Sequence, residues 1–370
     1  MRLINGKRRV AVLFGGRSGE HEVSLASARS VMSAMDKKKY DIYPVGIDKS
    51  GRWLTGGDPM AILISGEDVE KANEDALIVD IRRDLLPAGA IRDRFPEVDV
   101  VFPVLHGPYG EDGTIQGLLE LADLPYVGAG VLGSALGLDK VVQKAVLKAH
   151  DLPVVDYAVV MRRQWQKVPE DAIARVESRF SYPVFVKPAN LGSSVGISKA
   201  HDREELYRAI ALAARYDSKV LVEEAINARE IECSVLGNES PIASVLGEVV
   251  PSNEFYDYDA KYVDGDSELH IPATLDKGTS ELIRGLAVKA FVAIDCAGMA
   301  RVDFFICRDT GKVYINELNT IPGFTSISMY PKLWEASGMP YPELIDRLIG
   351  LAVERYEDKH ISQISYEPSR

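Results

Sequence analysis

Two short segments late in the chain carry side chains able to hold a charged ligand. Arg301-Val302-Asp303 and Glu317-Leu318-Asn319 flank a polar turn at 309–312. If both are strands, alternation puts Arg301 and Asp303 on one face, and likewise Glu317 and Asn319. Two carboxylates and an amide oxygen then converge beside an arginine. Hard oxygen donors of this kind suit Mg²⁺ held together with nucleotide phosphates. The plain alternative is a solvated face carrying a salt bridge. The flanks Phe304, Phe305 and Ile306, and Val313, Tyr314 and Ile315, are apolar, which favours an enclosed face. Beyond Asn319, Gly323 frees the backbone to approach a ligand. Ser326 and Ser328 then stand where a helix opens, and its N-terminal amides attract anions. An ordinary helix cap has the same pattern.

Lys187 closes a strand before the loop 188–196, rich in glycine and serine. Such a loop can place a cation and backbone amides around phosphates, although by itself it is more often a hairpin. It is not a Walker A loop, because GxxxxGK[ST] does not occur. Gly128–Gly133 matches GxGxxG, the dinucleotide fingerprint. That motif should follow a firm strand and open a domain, whereas here the strand is only 125–127 and the motif closes a unit. A tight turn between lobes is the better reading. Near the N-terminus, Gly15-Gly16-Arg17-Ser18-Gly19-Glu20-His21 follows a strand and opens a helix. His106-Gly107-Pro108-Tyr109-Gly110-Glu111 follows another strand. Loops beyond strand C-termini bind ligands in α/β domains, so both can share one rim. His106 fits a structural or a functional role.

These segments need elements to hold them. The first 130 or so residues alternate strand and helix: a strand at 10–14, a helix at 21–35, strands at 40–47 and 98–105. The stretch 52–97 reads as an irregular, acidic surface excursion with some helix. A helix at about 139–150 begins a second unit, with strands at 183–187 and 220–224 and a helix at 203–216. A third has strands at 230–236 and 242–250, a long polar loop, a helix at 281–294 with an apolar stripe, and strands at 299–306 and 313–317. Two helices end the chain. The pattern predicts an α/β layered architecture in three lobes, at 1–135, 136–224 and 225–370, with a long polar loop at about 251–272.

Composition bounds the function. The chain has 370 residues, 46% of them hydrophobic, and a formal charge of -12. That balance argues against a general nucleic-acid binder, and no stretch is long enough to span a bilayer. The run 10–14 is shorter than an export signal needs, so a cytoplasmic protein is expected. An acidic protein that binds phosphates must gather cations locally. Cys233, Cys296 and Cys307 form no CxxC and are expected to be reduced and buried.

Taken in order, the segments GGRSGEHEVS, HGPYGEDGT, LDK, FVKPANLGSSVG, REIECSVLG, FYDYDAKY, ARVDFF and INELNTIPGFTSIS resemble the D-alanine–D-alanine ligases of the ATP-grasp superfamily. The resemblance runs from about Arg9 to about Arg355. It implies an N-terminal parallel-sheet domain and two ATP-grasp lobes clamping ATP, two Mg²⁺ ions (with Mn²⁺ able to substitute), and a homodimer. Carried over by residue, Lys140, Lys187 and Lys261 would bind phosphates, and Glu223 and Glu230 the adenine and ribose side. Asp303, Glu317 and Asn319 would bind the metals. Glu20 would hold the ammonium of the first D-alanine, with His106 near its carboxylate. Arg301 and the Gly323 amide would meet the developing oxyanion, and Ser328 the second D-alanine's carboxylate. Glu20, Ser193 and Tyr262 would form a triad tying down the mobile loop, and Ser193 would also face ATP. The reaction implied is ATP-driven formation of D-alanyl-D-alanine through an acyl phosphate, for peptidoglycan synthesis. The alternatives are a ligase for another small amino acid pair, a D-alanine–D-lactate ligase, and a non-catalytic sensor on the same fold.

Overall fold

Strand β1 (Arg8–Gly15) carries the run Val10–Phe14, and every side chain in that run is sealed from solvent. The computed structural model describes residues 6–65, 77–80, 97–192, 194–250 and 268–363. A strand covered on both faces reads as a continuous apolar run instead of an alternating one. Val10, Val12 and Phe14 enter one core, against Leu25, Ala28 and Val31 of helix α1 (His21–Ala34). Ala11 and Leu13 enter another, with Trp53 and Ile115. β1 pairs in parallel with β2 (Tyr40–Ile47).

The stretch 52–97 departs from expectation. Residues Arg52–Thr55 form β3, which is followed by α2 (Pro59–Ser65) and β4 (Leu77–Asp80). β3 pairs antiparallel with β2 and β4, so the stretch extends the sheet instead of lying over the surface. Trp53 and Leu54 are buried there. Four residues hold too few alternations to announce a strand. β5 (Val100–Val104) lies in parallel on the other side of β1, giving the order β4-β3-β2-β1-β5.

Helices α3 (Thr114–Leu121), α4 (Val131–Leu138) and α5 (Lys140–Ala149) follow. The GxGxxG segment contains a turn, at Gly128 with φ +98°, and also the start of α4. A Cβ at Gly133 would stand 2.6 Å from the Asp295 carbonyl oxygen, so close packing requires that glycine.

A second sheet is built from β6 (Tyr157–Met161), β7 (Val184–Pro188), β8 (Ser198–Ala200) and β9 (Lys219–Glu224), in the order β6-β9-β7-β8. Helices α6 (Arg162–Lys167), α7 (Pro169–Glu177) and α8 (Arg203–Tyr216) belong to it. Asp202 caps α8 by accepting from the Glu205 N–H at 2.8 Å.

The third sheet is antiparallel, in the order β12-β11-β10-β13-β14. Its strands are β10 (Ala228–Gly237), β11 (Ile242–Val250), β12 (Glu268–His270), β13 (Gly298–Cys307) and β14 (Val313–Asn319). α9 (Lys277–Ala293), capped by Asp276, packs its Ile283, Ala287, Ala290 and Phe291 on this sheet. α10 (Met329–Ala336) and α11 (Tyr341–Lys359) end the described chain. Leu344, Ile345 and Leu348 of α11 share one core with β1 and with Phe324, so the last helix binds the first sheet to the third. Among the described residues no helix is long and apolar enough to cross a membrane. Cys233 and Cys296 are buried and free, and burial pushes both thiols up to about 12. Cys307, expected to be buried, is part-exposed because it ends β13 on the face away from the core.

Candidate active site

Alternation along β13 builds the site. Val302, Phe304 and Ile306 enter the core, while Arg301, Asp303 and Phe305 face a cleft between the second and third sheets. Across the hairpin, Asp303 is in register with Glu317 and Arg301 with Asn319. Arg301 donates two hydrogen bonds to Asp303, each at 2.7 Å, and lies 3.1 Å from Glu232 on β10. Asn319 Nδ2 donates to Asp303 at 3.0 Å. Burial works against the Arg301 charge, but Asp303, Glu232 and Glu317 hold its pKa well above the ordinary value. A bulge between Asp303 and Phe304 inserts one residue into β14, so consecutive residues Asn316 and Glu317 both border the cleft.

Two of the cations, Lys140 and Lys144, come from α5. Its buried face is Lys140, Gln143, Lys144 and Leu147, the spacing of a core stripe filled largely with polar residues. Asp139 caps the helix, accepting from the Val141 and Val142 amides. Lys140 Nζ donates to the Leu191 carbonyl at 2.9 Å and lies 3.0 Å from Glu317. Burial disfavours the Lys140 charge, yet Glu317, Glu223 and Glu111 raise its pKa above the ordinary value. Glu223, 2% exposed, sits between Lys144 at 2.7 Å and Lys187 at 2.5 Å. Burial pushes the Glu223 pKa up, but the two lysines outweigh it and hold it at about 2. Lys144, sealed deepest, is lowered by burial, with Lys187 adding repulsion. Lys187 also donates to Asn316 Oδ1 at 3.3 Å.

The rim beside this cleft comes from the first sheet. The His106 Nδ1 proton points to the Ile321 carbonyl at 3.1 Å, with Glu111 at 3.3 Å. Burial works against protonation of His106, but Glu111, Glu20 and that carbonyl raise its pKa above 6.5. Burial, aided by Glu20, raises that of Glu111. His106 Nε2 is buried without a hydrogen-bond partner among the described residues. The Glu20 carboxylate is wedged between two loops: a Cβ at Gly107 or at Gly192 would lie 2.9 Å from its Oε2. Gly107 also holds φ at +72°. Ser328 Oγ accepts from the Thr325 N–H at 3.0 Å, and a Cβ at Gly323 would lie 3.0 Å from it. The Phe324 amide donates to Ser27 at 3.3 Å, and its ring packs on Phe102 and Tyr330, so the 320–328 loop is anchored in the core.

Residues 9–129 match the D-ala D-ala ligase N-terminus family and residues 146–350 the D-ala D-ala ligase C-terminus family. The chain belongs to the D-alanine–D-alanine ligase family. It is 53% identical over 366 residues to the D-alanine–D-alanine ligase of Acetivibrio thermocellus, covering 95% of this chain and 97% of that one. A Thermoanaerobacter D-alanine–D-alanine ligase is 56% identical over 356 residues, covering 95% and 98%. Among solved structures, the D-alanine–D-alanine ligase of Coxiella burnetii superposes with a TM-score of 0.80 at 39% identity, covering 96% and 98%. The VanG D-Ala:D-Ser ligase of Enterococcus faecalis gives 0.82 at 37% identity, covering 94% and 99%. The α/β fold is therefore that of the ATP-grasp ligases.

Of the residues expected in a D-alanine–D-alanine ligase site, Lys140, Lys187, Glu230, Arg301, Asp303 and Glu317 line one cleft. Asn319 joins them through Asp303, and Glu223 through Lys187. Glu20 and His106 share the rim, and Gly323 and Ser328 the adjoining loop. Ser193, Lys261 and Tyr262 lie outside the described residues, as does the loop expected at 251–272 up to residue 267; its residues Glu268–His270 instead form strand β12 against β11. Sequence reasoning missed Lys144, Gln143, Asn316, Glu111 and Glu232. For the first two a signal existed, namely polar residues at the core positions of a helix.

The donor set suits a small divalent cation: two carboxylates and an amide on paired strands, with cations alongside for phosphate charge. Among the described residues no group of three or more His, Cys, Asp or Glu side chains is gathered as a metal cage.

Proposed function

We propose that this chain joins two D-alanines into D-alanyl-D-alanine, using ATP with Mg²⁺, for peptidoglycan synthesis. The observation that supports it most is the register Asp303–Glu317 and Arg301–Asn319 facing Lys140 and Lys187, beside the rim of Glu20 and His106. A carboxylate acylates poorly, so a carboxylate oxygen of the first D-alanine attacks the γ-phosphorus of ATP and the bond to ADP breaks. The amine of the second D-alanine then attacks the acyl carbon, loses a proton, and phosphate leaves. Lys140 and Lys187 take the phosphate charge. Arg301 and the Gly323 amide meet the tetrahedral oxyanion. Glu20 holds the first ammonium and His106 its carboxylate, while Ser328 takes the second carboxylate. Asp303, Glu317 and Asn319 would hold Mg²⁺, which neutralises transferring phosphoryl charge. Lys261 and Tyr262 belong to the loop that excludes water, and Ser193 with Glu20 and Tyr262 ties that loop down. Lobes at 1–135, 136–224 and 225–370, a cytoplasmic location and a homodimer complete the proposal.

The test is ADP release with D-alanine alone and with D-serine, D-lactate or L-alanine as acceptor. Turnover with D-alanine alone, at one ADP per dipeptide, is the expected result. Turnover only with D-serine, the acceptor in the VanG name, or only with D-lactate, would replace the substrate assignment.

A further inference from the structure

Among the described residues β14 is an edge strand, paired only with β13 within the sheet. Its outer edge therefore has backbone groups that need partners elsewhere. Near its start the Ile315 amide donates to the Pro153 carbonyl at 2.8 Å. At Leu318, the residue between Glu317 and Asn319, the partner is a side chain. Gln143 Oε1 accepts from the Leu318 N–H at 3.1 Å, and Gln143 Nε2 donates to the Leu318 carbonyl at 3.2 Å. The same nitrogen donates to the Gly137 carbonyl at 2.6 Å. The amide orientation is fixed by these partners, since a flip would set oxygen against two carbonyls. Gln143 is fully buried. It also sits one turn beyond Lys140, which reaches Glu317 from the same helix face.

We propose that Gln143 is a positioning residue: its amide stands in for a neighbouring strand, sets the position of β14 at Leu318, and so sets the spacing of Glu317 and Asn319. The inference rests on the proposed ligase reading. Donors held by a partner outside the first shell lose metal affinity when that partner is removed. A purely structural glutamine would change stability alone.

The test is Gln143→Met, which keeps the length and removes the amide. Mn²⁺ is titrated into enzyme with ADP and followed by electron paramagnetic resonance. The expected result is about tenfold weaker Mn²⁺ binding and a matching rise in the Mg²⁺ requirement. KM for D-alanine at saturating Mg²⁺ should stay within about twofold. Unchanged Mn²⁺ affinity in a folded Q143M overturns the inference alone, whereas wild type that binds no Mn²⁺ with ADP overturns the ligase reading with it. If Q143M does not fold, hydrogen exchange on the unaltered enzyme decides. Leu318 amide exchange slowed by Mn²⁺ and ADP supports the inference, because coupling is reciprocal. Exchange at a loop-like rate, unaffected by them, overturns it.

Discussion

The cleft proposed for the nucleotide and the rim proposed for the amino acids lie side by side, yet they handle charge in opposite ways. In the cleft the charged groups interlock: Arg301 on Asp303, Lys140 on Glu317, Lys144 and Lys187 on Glu223. On the rim, His106 is raised in pKa but keeps one buried nitrogen without a partner among the described residues. A lattice of pairs must exchange partners when a tetra-anionic ligand arrives, whereas an unpaired donor is already aimed at a small one. The cleft should therefore be sensitive in both stability and turnover, and the rim mainly in substrate affinity and pH.

The largest effect is expected at the metal face. Glu317→Gln removes a carboxylate from the donor set and the partner of Lys140, and should cut kcat by more than about 100-fold, since even outer-shell losses reach that size. A steady-state assay at high Mg²⁺ checks it, and near-normal turnover would detach Glu317 from the metal. Next comes Lys144→Met. It leaves Glu223 buried with a single lysine, and breaking such a pair costs about 3 kcal/mol, read by urea unfolding at pH 7. The Glu223 pKa is depressed from 4.5 to about 2, so its stabilisation is complete above pH 4.5 and is lost as pH falls through 2. In K144M that acid-limb loss should shrink. An unchanged limb would mean that Lys187 alone holds the carboxylate. The smallest effect is Glu111→Gln. His106 then loses a neighbour that raises its pKa, so the limb of kcat/KM at which His106 deprotonates should move to lower pH. KM for D-alanine should rise by about tenfold, one good charge-assisted contact. A pH profile that does not shift would make the pair structural only.

Much of this was legible beforehand, for identifiable reasons. β1 announced itself because both its faces are covered, and β13 because its cleft-facing and core-facing residues alternate from Ala300 to Cys307. Arg301, Asp303, Glu317 and Asn319 could be placed on facing strands from that alternation alone. The bulge at Asp303 was not legible, since one inserted residue leaves no periodic mark, and it is what brings Asn316 to the cleft. β3 was too short to show a period. Lys144 and Gln143 were hidden by habit: lysine and glutamine on a helix suggest the solvated face, and only their spacing with Lys140 and Leu147 says otherwise. Glu111 pairs with His106 only through a turn that folds the chain back within five residues.

In the proposed reaction the carboxylate of the first amino acid is phosphorylated before the bond is made. D-Alanine labelled with ¹⁸O in its carboxylate, turned over with ATP and Mg²⁺, tests it through the mass of the released phosphate. One labelled oxygen is expected in each phosphate, with D-alanyl-D-alanine and ADP formed in equal amount. Dipeptide made with unlabelled phosphate would contradict it.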